Sequence, residues 1–337
     1  MLPEAAYFQF TPDLRICRLL NGMWQLSGAH GAIDPRAAIN SMAKYHADGL
    51  STWDLADHYG AAEDFVGIFR KQLDERGEST PQQLQAFTKW VPRPMPMPRR
   101  TVEQAISISR RRMASQILDM VQFHWWDYRD EAYLEALEHL AALRDQRWMR
   151  HLGLTNFDTE HMQIISEHGI RIVSNQVQYS IIDRRPEVRM IDYCRANNIT
   201  LLTYGTVCGG LLSDRYMDVS EPAYQSLNTA SLRKYKNMID QWGGWDLFQQ
   251  LLHTLKLIAD KHGVTIPNVA VRYILDKPAV AGVIIGARLG ISDHREENAA
   301  VFSFALDEED LDAIHAVTAQ SRDLFQAIGD SGDEYRR

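Results

Sequence analysis

Four side chains able to move or steady a proton stand at the ends of three successive apolar runs. Asp54 and Tyr59 lie in Ser51-Thr-Trp-Asp-Leu-Ala-Asp-His-Tyr-Gly60, Lys89 in Phe87-Thr-Lys-Trp90 and His124 in Val121-Gln-Phe-His-Trp-Trp126. A free phenol ionises near pH ~10, so it gives up a proton at neutral pH only when its anion is stabilised. Lys89, held by the carboxylate of Asp54, is expected to lower the pKa of Tyr59 by favouring the phenolate. His124 is expected to orient the oxygen that receives the proton. Each residue has a plainer reading on its own: Asp54 as a helix cap, Tyr59 as half-buried packing, His124 as a satisfied core histidine. Spacing alone does not prefer Asp54 to Asp57. Lys89 is harder to explain as packing, because an unpaired lysine is rarely tolerated in an apolar strand. Jointly, polar groups at the ends of consecutive strands point to a site.

The elements that must position these residues alternate regularly. Strand-like runs fall at 19–24, 50–54, 84–90, 117–124, 151–155, 172–177, 200–204 and 280–285, with helical patterns between them. In 131–146, for example, Tyr133, Leu134, Leu137, Leu140, Ala141 and Leu143 recur at three- and four-residue spacing. Asp34-Pro-Arg opens a helix with a cap and a proline at its first position, and the acids from Asp307 open the last one. The basic cluster Arg110-Arg-Arg112 reads as a helix end, where cations complement the dipole. Eight such units without a break in composition predict an α/β fold, a closed (β/α)8 TIM barrel formed by 1–337 as a single domain. A doubly wound sheet should carry G-x-G-x-x-G after its first strand, and the chain has none. Residues 7–18, around Thr11-Pro-Asp, read as an N-terminal hairpin. The roughly forty residues after the seventh strand, rich in Trp and Tyr, predict a partly helical lid over the barrel mouth. The tail after Gly329 is polar and reads as loose.

In order, spacing and flanking residues, Asp54, Tyr59, Lys89 and His124 resemble the Asp, Tyr, Lys and His tetrad of the aldo-keto reductases. The D-x-A-x-x-Y-G pattern of that family is what selects Asp54 over Asp57. The resemblance continues through Leu152-Gly-Leu-Thr-Asn-Phe157, Asn175-Gln-Val-Gln-Tyr179, Leu202-Thr-Tyr-Gly205 and Ile284-Ile-Gly-Ala-Arg288. It implies reversible reduction of an aldehyde or ketone to an alcohol by NADP(H), with NAD(H) as the lesser possibility and Tyr59 as the general acid. It also implies a nicotinamide carboxamide on Thr155, Asn156 and Gln176, with its ring on Tyr204. Further cofactor contacts are implied at Gly22, Met23, Asp54, Gly205, Gly210 and Leu211. The adenosine phosphate end is implied at Gly286, Ala287 and Arg288, and the adenine at Glu297 and Asn298. The segment is about two residues longer than the family's usual pattern, which puts His294 where a second 2′-phosphate ligand commonly falls; Arg295 or Arg288 are the candidates to compensate.

Trp24, Trp90 and Trp125, at or near strand ends, are expected to line a pocket for a small-molecule carbonyl substrate. Two other functions use the same residues: a Schiff-base lyase with Lys89 as nucleophile, and a cofactor-binding regulatory subunit with little turnover. Composition sets limits on the partners. With 337 residues, 45% hydrophobic, and a net charge of −8, the chain has the mass for one large core, and its acidic balance argues against a general nucleic-acid surface, the one basic cluster being read as a helix end. Cys17, Cys194 and Cys208 show no disulfide or zinc spacing, so no metal is expected. No long apolar stretch or leader is visible, and the expected location is the cytoplasm with no membrane partner.

Overall fold

The computed structural model describes residues 2–27, 33–78 and 83–336. Two antiparallel strands, β1 (Tyr7–Thr11) and β2 (Leu14–Cys17), precede the barrel. Its strands are β3 (Leu19–Gly22), β4 (Thr52–Asp54), β5 (Gln85–Trp90), β6 (Leu118–His124), β7 (Met149–Thr155), β8 (Ser174–Gln178), β9 (Thr200–Tyr204) and β10 (Val280–Gly286). All are parallel to their neighbours, and β10 pairs with both β9 and β3, so the sheet closes. Around it run α1 (Pro35–Ala47), α2 (Ala62–Glu75), α3 (Arg99–Arg112), α4 (Ala132–Asp145), α5 (Thr159–Glu167) and α6 (Met190–Ala196). These are followed by α7 (Ala230–Trp242), α8 (Trp245–His262), α9 (Ile266–Leu275), α10 (Arg295–Ala299), α11 (Glu308–Thr318) and α12 (Leu324–Ile328).

Local chemistry accounts for the element ends. The Asp34 carboxylate accepts from the Ala37 amide at 2.7 Å and Pro35 takes the first helical position of α1, as the sequence predicts. Arg110, Arg111 and Arg112 fill the last turn of α3. Trp24 falls outside the first barrel strand, in a short 3-10 turn, Trp24–Ser27.

Period-two alternation decides what the barrel interior holds. Near the hairpin the inward side chains are apolar: Leu20 on β3, Phe87 on β5, Met120 on β6, Leu202 on β9 and Ala281 on β10. Phe10, Leu14 and Ile16 of the hairpin pack onto them, with the Phe10 and Phe87 rings 5.8 Å apart, so the hairpin plugs that end. Two residues further along, β5 presents Lys89 and β6 presents Gln122, and β6 then ends on His124. Both strands thus pass from an apolar floor to a polar mouth.

The connection from β9 to β10 begins with three short 3-10 turns, Cys208–Gly210, Asp214–Tyr216 and Tyr224–Ser226, and then becomes helical at α7. Tyr235 of α7 sits against Gly205 so closely that a Cβ there would lie 2.4 Å from its hydroxyl. The expected partly helical lid is therefore tied to the end of β9. The C-terminal segment departs from expectation: it is clamped, with Asp330 2% and Ser331 0% exposed. Asp330 Oδ2 accepts from the Thr159 amide at 2.9 Å and from Arg189 Nε at 3.0 Å. Buried Arg185 donates to Asp183, to the Asp330 carbonyl and to Glu334. A polar composition predicts looseness only when its charges find no partners, and here they do.

Candidate active site

At the mouth, Lys89 Nζ donates to Asp54 Oδ2 at 2.6 Å and to the Leu55 carbonyl at 3.0 Å. Asp54 Oδ1 accepts from Gln176 Nε2 at 2.7 Å and from Gln122 Nε2 at 3.0 Å, and Gln176 also donates to Gln122 Oε1 at 2.8 Å. Asp54 and Lys89 are each 3% exposed, so the pair survives in low dielectric because further hydrogen bonds satisfy both partners. Burial pushes the Lys89 pKa down and Asp54 opposes that shift.

The Tyr59 ring lies with its centroid 4.9 Å from Lys89 Nζ and 5.0 Å from the Trp24 ring, which meets it edge-on. The ammonium thus faces the ring, with its hydrogen bonds engaged by Asp54 and Leu55. Burial, then the negative fields of Asp54, Tyr335 and Asp57, hold the Tyr59 phenol well above its ordinary pKa. The net shift is thus upward, against the lowering expected: burial disfavours the phenolate most, and the Asp54 carboxylate adds to it, so the charge of Lys89 does not win. His124 Nδ1 donates to the Thr155 carbonyl at 2.9 Å, and burial depresses its pKa to about 4. At neutral pH the imidazole is uncharged with its proton on Nδ1, which leaves Nε2 as an acceptor.

Asp54, Tyr59, Lys89 and His124 line one cleft of about 370 Å³. Of the residues assigned to a cofactor, Gly22, Thr155, Asn156, Gln176, Tyr204, Gly205 and Gly286 line the same cleft. Met23, Leu211 and Ala287 are buried and do not line it, and neither does Gly210, which closes the Cys208–Gly210 turn. Arg288 and Glu297 are exposed beyond it and Asn298 is half-buried. A nicotinamide dinucleotide fits this donor set on three observations. Thr155 Oγ1 is buried with no hydrogen-bond partner among the described residues, beside an Asn and a Gln able to match an amide. Gly286 is backed by Gln25, whose Nε2 would lie 2.1 Å from a Cβ there, so glycine leaves backbone open on that wall without displacing the Gln25 side chain.

The third concerns phosphate. Arg295 is held by Asp293 at 2.9 and 2.8 Å and by Asp48, and His294 Nδ1 pairs with Glu297 at 3.0 Å. Arg288 has no side-chain partner among the described residues, so its guanidinium is open to an anion.

Two pocket expectations are corrected. Trp90 is 6% and Trp125 0% exposed; they flank Phe123 at 5.4 and 5.9 Å in the packing outside the barrel wall. Alternation explains it: each follows an inward residue, Lys89 or His124, and so points outward. Trp126, two positions after His124, lines the cleft with Trp24 and was missed, as were Gln25, His58, Lys234 and Tyr335. Period two was the signal that could have found Trp126; Tyr335, far along the chain, left no local signal.

A closed barrel whose C-terminal mouth gathers a buried Lys–Asp pair, a phenol and a neutral imidazole holds the kinds of group that acid-base chemistry uses. Residues 18–319 match the model of the Aldo/keto reductase family. The chain belongs to that family, whose members are oxidoreductases of carbonyl compounds. It is 23% identical over 323 residues to the NADH-specific methylglyoxal reductase of Escherichia coli (strain K12), a match covering 89% of this chain and 94% of the relative. It is 29% identical over 177 residues to flagellar radial spoke protein 5 of Chlamydomonas reinhardtii, covering 47% of this chain and 33% of that protein. Among solved structures, an aldo/keto reductase from Klebsiella pneumoniae in complex with NADP and acetate superposes with a TM-score of 0.69 at 20% identity, over 93% of this chain and 95% of that one. No helix among the described residues is long and apolar enough to cross a membrane.

Proposed function

We propose that the chain reduces an aldehyde or ketone to an alcohol with NADPH, reversibly, Tyr59 supplying the proton. The observation that carries this is the phenol of Tyr59 in the cleft with Lys89 Nζ 4.9 Å from its ring centroid and the Lys89–Asp54 pair buried behind it. The reduced nicotinamide, when bound, supplies hydride to the carbonyl carbon. As charge develops on the carbonyl oxygen, Tyr59 releases its proton to what is becoming an alkoxide, a far stronger base than a phenolate even when the phenol's own pKa is high. The nearby ammonium of Lys89 then stabilises the phenolate left behind, an interaction that strengthens only as the transition state forms. His124 Nε2, an acceptor, takes a hydrogen bond from the hydroxyl of the alcohol once the proton has been transferred and so favours one orientation of that oxygen.

Thr155, Asn156 and Gln176 would hold the carboxamide, Tyr204 the ring face, and Arg288 the 2′-phosphate. The preference for NADPH over NADH rests on Arg288, since Arg295 and His294 are engaged by carboxylates. The substrate is a small-molecule carbonyl compound that packs against Trp24 and Trp126. A lyase using Lys89 as nucleophile loses support, because its amine is buried and already donates to two acceptors. The test is a panel of aldehydes and ketones against both reduced nicotinamides, followed by loss of their near-ultraviolet absorbance. Turnover with NADPH is expected, and NADH of equal affinity in a binding titration would overturn the cofactor assignment.

A further inference from the structure

The C-terminal segment enters the cleft from outside the barrel and ends in a hydrogen-bond chain with a definite direction. Lys234 of α7 donates to the Tyr335 hydroxyl, Tyr335 and Tyr204 are joined at 2.9 Å, and the Tyr204 hydroxyl donates to Asn156 Oδ1 at 2.8 Å. An ammonium can only give protons, so Tyr335 accepts from Lys234 and passes its own proton toward Tyr204, which passes its own to Asn156. With Oδ1 engaged, the Asn156 amide keeps Nδ2 as its free donor.

The same segment touches Asn156 a second time. Gly332, at φ 95°, lies so near that a Cβ would stand 2.0 Å from the Asn156 carbonyl oxygen, and Asn156 itself has φ 58°. Tyr335 does not swing freely between these contacts. Glu334 before it accepts from buried Arg185 at 2.8 Å, and Arg336 after it donates to the Trp125 carbonyl at 2.9 Å and stacks 3.9 Å over the Tyr128 ring. The Lys234 Nζ also lies against aromatic faces, 5.1 Å from the Tyr204 and 4.6 Å from the Tyr335 centroid.

We propose that Lys234 and Tyr335 are positioning residues: their relay fixes Tyr204 and turns the Asn156 amide so that Nδ2 is offered to the nicotinamide carboxamide oxygen. The inference rests on the cofactor reading above and adds to it a role for the chain's end. Without the relay, the Tyr204 hydroxyl can as well accept from Asn156 Nδ2 as donate to Oδ1, so the amide can present either end, and the flipped one opposes an acceptor.

The test titrates the intact protein with NADPH and, separately, with 2′,5′-ADP, which carries the phosphate but no nicotinamide, using tryptophan fluorescence. Tyr335→Phe and Lys234→Met are each expected to weaken NADPH about three- to tenfold, the effect of one hydrogen bond, and to leave 2′,5′-ADP unchanged. Lys234→Arg, which retains a donor, is expected to bind NADPH within about twofold of the unaltered protein. Adding Tyr335→Phe to Tyr204→Phe is expected to cost nothing further, because both act through one chain. Unchanged NADPH affinity in Tyr335→Phe overturns the proposal. So does an equal loss for both ligands in Lys234→Met, which would mark Lys234 as a direct phosphate contact. Failure of the unaltered protein to bind NADPH at all would instead remove the cofactor reading, and the relay's purpose with it.

Discussion

At the scale of single residues, protonation states make the firmest predictions. His124 takes a proton near pH 4 in the fold but near 6.5 when unfolded. Between those values the unfolded chain binds the extra proton, so stability falls as pH drops through that window, by roughly 1.4 kcal/mol per unit. Urea midpoints at about pH 7 and about pH 5 check this: His124→Gln should lose less stability than the unaltered protein on that descent. Equal losses would mean another group is responsible. Lys89, held by Asp54 and the Leu55 carbonyl, should resist borohydride trapping with a carbonyl compound; an adduct at Lys89 would restore the lyase reading. Arg288→Ala should bring NADPH affinity close to that of NADH, a loss of about tenfold or more for a charge-assisted phosphate contact, with little change in kcat at saturating cofactor. An unaltered ratio of the two dissociation constants would remove Arg288 from the phosphate site.

At the scale of elements, much depends on how closely neighbouring backbones approach. Gly67 of α2 lies where a Cβ would stand 1.9 Å from the Arg112 carbonyl oxygen at the end of α3. Gly67→Ala should therefore force the helices apart and destabilise by about 1–3 kcal/mol, readable as a lowered denaturation midpoint. An unshifted midpoint would mean that the contact yields freely. The eight barrel strands, the hairpin and the lid were legible because each is a local pattern of apolar period or turn chemistry. The side-chain clusters were legible only where family pattern or alternation reached them. Asp54, Lys89 and His124 stand at strand ends and Tyr59 in the turn after one, whereas Trp90 and Trp125 were assigned to the pocket by proximity in sequence although alternation turns them outward. The clamped tail was not legible, since its partners Thr159, Arg185 and Arg189 lie more than a hundred residues away and nothing in a polar stretch announces them.

For the molecule as a whole, the two barrel ends have separate tasks. The hairpin end is an apolar plug, and the mouth is a polar site whose walls come from β4, β5, β6 and the distant C-terminus. Phe10→Ala should thus cost about 3 kcal/mol of stability through the cavity it opens, while kcat and cofactor affinity stay near their original values. A large fall in activity without loss of stability would show the ends to be coupled. The central claim is that the Tyr59 proton completes carbonyl reduction, and it is tested most directly by measuring kcat and the NADPH dissociation constant of Tyr59→Phe side by side. The expected result is a kcat reduced by about a hundredfold or more with the dissociation constant changed less than about twofold; turnover retained in that variant, or a loss confined to cofactor binding, would contradict it.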